Sequence, residues 1–292
     1  MSVLTLKGGG AVVRWMVTGC SSGLGRALAE AAAGAGDRVV ATARRLDALE
    51  DLAAGWPDAV VPVALDVRDA QQCEQAVALA AERMGGIDVL VNNAGTGLFG
   101  AVEEVCDEEL RDQFEAQVVG PWRLIRLVLP VMRDQGAGHI VNVSSIAGRM
   151  AVPGLAAYIA AKHALEGMSQ ALAEEVAAHG IRVTVMEPGG FATRYGTALA
   201  ETGVRLPAYG AVHESIGMYR GMDQNPALGR PDEFARAVLK VVGAAAPTPL
   251  RIPVGPGAYE MLGANQQAAA QELDTAGALV GRTTVADGAA VG

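Results

Sequence analysis

Two polar side chains at helical spacing, Tyr158 and Lys162, are the first candidates for chemistry in this chain, and Ser145 precedes Tyr158 by 13 positions. Residues four apart on a helix share a face, so the phenol and the ammonium can approach each other. A free phenol has a pKa of about 10 and is a poor acid–base catalyst at neutral pH. A neighbouring ammonium would lower that pKa, which makes Tyr158 a candidate general acid or base. The same spacing also occurs on ordinary amphipathic helices, where both residues are simply solvated.

A glycine-rich turn near the N-terminus is a candidate phosphate site. An apolar run, Val12–Val17, leads into the turn Thr18–Gly25, and an alanine-rich helix is predicted from Arg26 to Ala33. Glycines let the backbone approach a pyrophosphate, and a helix N-terminus offers unpaired N–H groups and a favourable dipole. The glycine spacing is wider than in the usual dinucleotide fingerprint, so an ordinary strand-to-helix turn is the alternative.

Four motifs together resemble the short-chain dehydrogenase/reductase family. They are, in chain order, Thr18-Gly-x3-Gly-x-Gly25, Asn92-Asn93-Ala94-Gly95, Ser145 with Tyr158 and Lys162, and Pro188-Gly189-Gly190-Phe191-Ala192-Thr193. The resemblance spans about residues 12 to 255, and the ordered set is far more specific than any single motif. It implies a nicotinamide dinucleotide cofactor and hydride transfer between a carbonyl and an alcohol.

The predicted fold is α/β, a doubly wound parallel sheet of Rossmann type in a three-layer α/β/α arrangement. Short β-branched runs alternate with Ala- and Leu-rich segments of helical period. Ligands of such sheets bind at the carboxyl ends of the strands, where the motifs would converge. Strands are predicted at Val12–Thr18, Arg38–Ala43, Val60–Leu65, Ile87–Asn92, His139–Val143, Arg182–Met186 and Leu250–Val254.

We expect residues 1–292, which are 51% hydrophobic, to form a single domain. Residues 1–11 are predicted to be a flexible N-terminal lead and residues 275–292 a flexible C-terminal tail, because both have little to bury. The long stretch 190–229 is predicted by the resemblance to be a substrate lid. A surface insertion packed by its own aromatic residues is the alternative.

The resemblance assigns roles at the reacting centre. Tyr158 would give a proton to the substrate carbonyl or take one from the alcohol, and Ser145 would hydrogen-bond the same oxygen. Lys162 would bind the nicotinamide ribose and lower the pKa of Tyr158. Gln117 stands where the family usually has Asn, a catalytic residue whose main-chain carbonyl holds a water that links the lysine to solvent. A carbonyl does not depend on residue type, but the longer side chain would rearrange any hydrogen bond that fixes the local helix bend.

A set of cofactor-binding residues also follows from the resemblance. Asp66 and Val67 would lie against the adenine ring, although Asp66 could equally be only a helix cap. Thr193 and the Pro188-Gly189 turn would meet the nicotinamide carboxamide. The full set is Gly19, Ser21, Ser22, Gly23, Leu24, Gly25, Arg44, Arg45, Asp66, Val67, Asn93, Ala94, Gly95, Tyr158, Lys162, Pro188, Gly189, Phe191 and Thr193.

Cofactor preference is predicted from the end of the second strand. An acidic residue there would accept from a ribose 2′-OH and repel a 2′-phosphate, whereas an arginine would pair with that phosphate. Ala43 takes the position of the carboxylate of NAD-preferring relatives, and Arg44 follows it. NADP(H) is therefore predicted to be preferred over NAD(H). Alternatively, Arg44 and Arg45 are only a solvated face at the start of the next helix.

Composition excludes several partners. The net charge of −9 and the pI near 5.0 argue against nucleic acid or an anionic membrane surface. The cysteines Cys20, Cys73 and Cys106 are far apart and form no C-x-x-C pair, so neither a disulfide framework nor a metal site is predicted, and a reducing cytoplasm is the expected location. No apolar run approaches the ~20 residues of a membrane span.

A homo-oligomer is expected, most simply a tetramer and otherwise a dimer. Residues 108–132 and 155–178 are predicted to form two long helices, which pair across a two-fold axis in the resembled family. A monomer that buries this surface under its own loops is the alternative. The apolar surface is supplied by Trp122, Leu124, Ile125, Leu127, Val128 and Leu129.

Three functions stay open. The leading one is an NADP(H)-dependent carbonyl reductase or alcohol dehydrogenase acting on a small or medium, mainly apolar molecule. A non-redox or internally redox tailoring enzyme, such as an epimerase, dehydratase or cyclase, is the second, and a nucleotide-sensing binding protein is the third. Possible substrate-pocket walls, which could instead be core or lid packing, are Phe99, Met150, Phe191, Tyr195 and Tyr219.

Overall fold

Parallel strands form the centre of the molecule. A computed structural model describes residues 12–221, 224–245 and 248–281. Within these ranges, seven strands form one sheet in the order β3-β2-β1-β4-β6-β7-β9, and β5 pairs with β8 separately. All neighbouring pairs are parallel. The strands are β1 (Arg14–Val17), β2 (Arg38–Ala43), β3 (Val60–Ala64), β4 (Val89–Asn92), β5 (Leu98–Phe99), β6 (Gly138–Val143), β7 (Ile181–Pro188), β8 (Ala200–Glu201) and β9 (Arg251–Val254).

Helices cover both faces of the large sheet, which confirms the predicted doubly wound α/β/α architecture. Helices α1 and α9 pack on one face, and α3, α5 and α6 pack on the other. None of the helices within the described residues is long and apolar enough to cross a membrane. The helices are α1 (Gly23–Gly34), α2 (Glu50–Gly55), α3 (Ala70–Met84), α4 (Asp107–Phe114), α5 (Gly120–Gln135), α6 (Ala156–Val176), α7 (Tyr195–Ala198), α8 (Gly210–Ser215), α9 (Pro231–Val242) and α10 (Ala258–Val280).

The central strands bury apolar side chains on both of their faces because the sheet is covered on both sides. In β1, Trp15 and Val17 belong to the core under α1 and α9, whereas Met16 belongs to the core under α3, α5 and α6. All three side chains are fully buried. The predicted strands are all present, with ends shifted by at most two residues, since strand ends depend on which backbone groups find a neighbour.

The strand order reverses at β1, whose two neighbours β2 and β4 lead to opposite halves of the sheet. A crevice forms at such a switch point, outside the carboxyl ends of the strands. The glycine turn after β1, Ala43 at the end of β2 and Asn93 after β4 all open onto this edge. The fold therefore gathers motifs that are far apart in the sequence.

The 190–229 segment folds into short elements rather than one irregular loop. It contains α7, β8 and α8, while residues 222–223 lie outside the described ranges. The buried Glu104 carboxylate accepts hydrogen bonds from Leu206 N at 2.6 Å and from His213 Nε2 at 2.7 Å, and Thr202 Oγ1 donates to Glu104 O at 2.9 Å. These bonds tie the segment to the loop after β5.

The C-terminal tail differs from the prediction. We expected flexible chain from residue 275, but α10 continues to Val280. The reason is that this alanine-rich stretch has high helix propensity and contains no proline to stop it. Residues 282–292, and the N-terminal lead 1–11, lie outside the described residues.

Candidate active site

A single cavity of about 770 Å³ runs along the carboxyl edge of the sheet. It extends from the glycine turn after β1 to the side chains of Ser145, Tyr158 and Lys162. The predicted site residues all line it, except Gly25 and Arg45. The glycine turn, the Asn93 turn, the Pro188 turn and the Tyr158–Lys162 pair therefore all line the same cavity.

Gly25 and Arg45 were predicted to bind the cofactor, but neither lines the cavity. A Cβ at Gly25 would lie 2.3 Å from Asn93 Nδ2 and 2.5 Å from Gly19 O, so Gly25 allows α1 to pack closely behind the turn. The Arg45 side chain is 79% exposed and lies 3.5 Å from Asp47. It points to solvent because successive residues leaving β2 face opposite ways.

The glycine turn has the shape of a phosphate cradle. Gly19 and Gly23 have φ of 75° and 62°, a region that other residues rarely adopt. A Cβ on Gly19 would lie 2.9 Å from the Cα of Ala94. The N-cap residue Ser22 makes no side-chain cap hydrogen bond, so it does not compete for the first N–H groups of α1, which can receive a pyrophosphate. The turn therefore fits a dinucleotide.

Thr18 anchors this cradle, a role that we did not predict. Its Oγ1 accepts hydrogen bonds from Asn93 N at 2.9 Å and Ala94 N at 3.0 Å. The Asn93 side chain returns a hydrogen bond from Nδ2 to Thr18 O at 2.8 Å. These bonds hold the turn after β1 against the turn after β4. The sequence feature that could have predicted this role is a hydroxyl residue at the end of an apolar strand.

Two arginines line the cavity where β2 and β3 end. Arg44 lines it as predicted, and Arg68, which we did not predict, lines it too. Arg68 forms an ion pair with Asp66 at 2.7 Å, and this pairing lowers the pKa of Asp66 although burial opposes it. Asp66 is therefore an ionised residue of the cavity wall, while Asp69 caps α3 by accepting from Gln71 N and Gln72 N.

The Tyr158–Lys162 pair lies on α6 at the other end. Lys162 Nζ donates to Val143 O at 2.9 Å and lies 5.6 Å from the centre of the Tyr158 ring. Ser145 Oγ accepts from Ala147 N at 3.1 Å, which leaves its own proton free to donate. Both Tyr158 and Lys162 are buried.

Burial governs the acidity of both groups. It raises the pKa of Tyr158, and contacts with the hydroxyls of Ser145 and Tyr195 lower that pKa only in part. Burial also lowers the pKa of Lys162 to about 7, against the opposing charge of Glu166. We had expected Lys162 to lower the pKa of Tyr158, but burial raises that pKa, and the opposing contributions come from Ser145 and Tyr195.

The depressed pKa of Lys162 predicts a pH-dependent stability. Between pH 7 and 10.5, the unfolded chain holds a proton on Lys162 that the folded chain tends to lose. The free energy of unfolding should therefore rise with pH in this window because of this residue. Lys162→Met is expected to remove that contribution, so its melting temperature, measured without nucleotide, should gain less than that of wild type as the pH is raised. The exposed Lys240→Met is the matched control, and identical pH dependence in wild type and Lys162→Met would contradict the assignment.

Gln117 occupies a turn of π-helix, Glu115–Val119, between α4 and α5. Its Nε2 donates to Thr96 O, and its Cγ would lie 3.1 Å from a Cβ on Gly95. Gln117 is one methylene longer than the Asn usual in the family, and Gly95 leaves the room that the longer side chain needs. Its Oε1 is buried without a hydrogen-bond partner among the described residues.

The wall beyond Tyr158 is mainly apolar. Met150, Phe191, Tyr195 and Tyr219 line the cavity as predicted. Phe99 does not: it is buried behind the wall, with its ring 6.3 Å from that of Tyr219. Other apolar residues of this wall are Leu98, Val152, Leu155 and Met261.

No cluster of metal-binding side chains accompanies these residues. In the part of the chain that the structure describes, no group of three or more His, Cys, Asp or Glu side chains could hold a metal ion. Cys20, Cys73 and Cys106 are free thiols.

Known proteins resemble this chain over most of its length. The family model described as short chain dehydrogenase matches residues 14–203. Oxidoreductase BOA17 of Botryotinia fuckeliana is 44% identical over 254 residues, 85% of this chain and 91% of that protein. A short-chain dehydrogenase from Streptomyces avermitilis has a crystal structure that matches with a TM-score of 0.85 and 42% identity, covering 95% of this chain and all of that one (100%). A 3-ketoacyl-(acyl-carrier-protein) reductase from Brucella melitensis, crystallised with NADH, matches with a TM-score of 0.70 and 30% identity over 82% of this chain and 95% of its own.

Proposed function

The chain belongs to the short-chain dehydrogenase/reductase family, and we propose that it is an NADP(H)-dependent oxidoreductase that interconverts a carbonyl and an alcohol on a small or medium, mainly apolar substrate. The observation that carries this proposal is the continuous cavity from the phosphate cradle to Tyr158 and Ser145. A cavity that runs from the cradle to these two residues would hold a dinucleotide and a substrate in contact with each other.

Each residue of the reacting end then has a defined task. A bound nicotinamide supplies or accepts the hydride. Tyr158 moves the proton to or from the substrate oxygen, and the free hydroxyl proton of Ser145 holds that oxygen in place. Lys162, fixed by the Val143 carbonyl at 2.9 Å, presents its ammonium to the ribose hydroxyls. Because the wall beyond them is apolar, water is kept from the reacting oxygen.

Arg44 and the missing carboxylate at Ala43 support NADP(H). Both residues line the cavity where β2 ends, and Ala43 places no carboxylate at that position to repel a 2′-phosphate. Arg68 adds a second guanidinium to the same wall, although Asp66 already pairs with it. The Brucella melitensis relative was crystallised with NADH, so family membership alone does not decide between the two cofactors, and the proposal for NADP(H) is based on the local charge.

A carbonyl panel tests the proposal. Purified protein is mixed with NADPH and with ketones and aldehydes of increasing size, and both NADPH consumption and alcohol product are measured. Equal amounts of each are expected with at least one apolar carbonyl. Product without net NADPH consumption would instead support an epimerase, dehydratase or cyclase. A melting shift with NADPH but no product of any kind would support a nucleotide-sensing binding protein.

We also propose a cytoplasmic homo-oligomer, a tetramer or otherwise a dimer. Free thiols suit a reducing compartment. Leu124, Ile125 and Val128 are buried in the chain's own core, but Trp122 is 57% exposed and supports an interface on the outer face of α5. Sedimentation at micromolar concentration should give a species of at least twice the 29.9 kDa chain mass. A single species at the chain mass would contradict the assembly.

A further inference from the structure

Tyr195 places a second phenol beside the first. It begins α7 in the 190–229 segment, and its ring centre lies 5.9 Å from that of Tyr158 with the planes tilted by 55°. A Cβ on Gly97 would lie 2.4 Å from the Tyr195 hydroxyl oxygen. Only glycine at position 97 leaves room for that oxygen, so the fold holds the hydroxyl at this place in the cavity.

The Tyr195 hydroxyl is also an unpaired group. It is buried and has no hydrogen-bond partner within the described residues. A buried hydroxyl without a partner is destabilising, so its retention calls for a partner that is present in some state of the protein. The Tyr158 oxygen is the neighbour that can become such a partner, because it gains a negative charge when it gives up its proton.

Other groups around Tyr158 leave that role open. On its own helix, Lys162 donates to Val143 O, and its Nζ lies 5.6 Å from the centre of the Tyr158 ring. From the loop after β6, Ser145 lines the same cavity and lowers the pKa of Tyr158 against the larger effect of burial. From the 190–229 segment, Tyr219 lines the same cavity, as do the charged residues Arg194 and Glu201.

We propose that Tyr195 is a positioning residue that donates a hydrogen bond to the ionised oxygen of Tyr158 and stabilises the phenolate. This inference rests on the proposed function, in which Tyr158 is the acid or base. In the reductive direction, a hydride adds to the carbonyl carbon as the nicotinamide is oxidised, and the Tyr158 O–H bond breaks as the proton joins the substrate oxygen. Tyr195 keeps its own proton throughout, and its O–H turns toward the charge that Tyr158 has gained.

The acidity of the two phenols agrees with this division of roles. Burial, followed by the nearby Tyr158, raises the pKa of Tyr195 well above its ordinary value. Contact with Tyr195 lowers the pKa of Tyr158, against the dominant effect of burial. These directions are those expected when Tyr158 ionises first and Tyr195 keeps its proton.

A direct titration tests the pair without turnover. The chain has five tyrosines, so 3-fluorotyrosine labelling, which makes each phenol more acidic, should give few enough ¹⁹F signals to follow individually. The Tyr158 signal is identified by its loss in Tyr158→Phe. In Tyr195→Phe, the midpoint of the Tyr158 titration is expected to rise by about one pH unit, the effect of losing one hydrogen bond to a charged group. Tyr219→Phe, another cavity phenol, is the control and should leave that midpoint unchanged.

Unchanged midpoints in Tyr195→Phe, or equal shifts in both variants, would overturn the inference. Gly97→Ala, which displaces the Tyr195 hydroxyl, provides a second route to the same shift if Tyr195→Phe does not fold. In alcohol oxidation, which needs ionised Tyr158, the rising limb of kcat/KM should move to higher pH in Tyr195→Phe. A higher KM at every pH with an unmoved limb would assign Tyr195 to the substrate instead. Because the ¹⁹F titration needs no substrate, failure of the proposed reaction and failure of the pair give separate results.

Discussion

Replacing Tyr158 by phenylalanine is expected to lower turnover by at least about 100-fold, the usual loss when a general acid–base group is removed. The variant loses one oxygen and keeps the ring, which packs in the cluster around Phe99, Leu155 and Leu199. The substitution removes only the hydroxyl, whose pKa is raised by burial. Because the ring stays in place, the fold and the affinity for NADPH should persist. The phenylalanine ring has no proton to transfer.

Turnover and NADPH affinity are measured side by side on the same preparations. Tyr209→Phe is the matched control, because Tyr209 donates to Glu103 at 2.6 Å on the exposed side of the 190–229 segment. It should retain wild-type turnover. If Tyr158→Phe also retained it, the acid–base role of Tyr158 would be wrong, whatever the identity of the substrate.

A change at the end of β2 is expected to weaken the proposed preference for NADPH over NADH. Ala43→Asp combined with Arg44→Ala replaces a phosphate partner with an acceptor for the ribose 2′-OH. The ratio of kcat/KM with NADPH to that with NADH should fall at least tenfold, because a hydrogen bond to a charged group contributes about 1.5–3 kcal/mol. Asp66 and Arg68 remain in place, so the adenine wall is preserved.

Arg45→Ala serves as the control for this pair of substitutions. Its side chain is 79% exposed and lies outside the cavity wall, so the ratio should stay at the wild-type value. An equal loss in Arg45→Ala would mean that general surface charge attracts NADPH. Equal use of both cofactors by the unmodified protein would show that the assignment was wrong before any substitution.

The amino-acid sequence was enough to predict the strands of the large sheet and their order along the chain. Hydrophobic period, β-branched runs and glycine turns are local properties, so all seven strands of the large sheet were predicted to within two residues at each end. The four motifs were placed at the same sheet edge for a similar reason, since strands in a parallel sheet run the same way. Gly19 in the glycine turn and Arg44 after β2 line the cavity as predicted.

The surroundings of these site residues depend on the tertiary structure and could not be predicted from the sequence. Motif position could not separate Gly23, which lines the cavity, from Gly25, which packs behind it. Arg68 belongs to no motif but follows β3 at the sheet edge, whereas Tyr195, predicted only as a possible pocket wall, reaches the cavity because the distant 190–229 segment folds back to it. Burial likewise raises the pKa of Tyr158, and no short stretch of sequence contains that information because burial depends on every element that excludes water from the phenol.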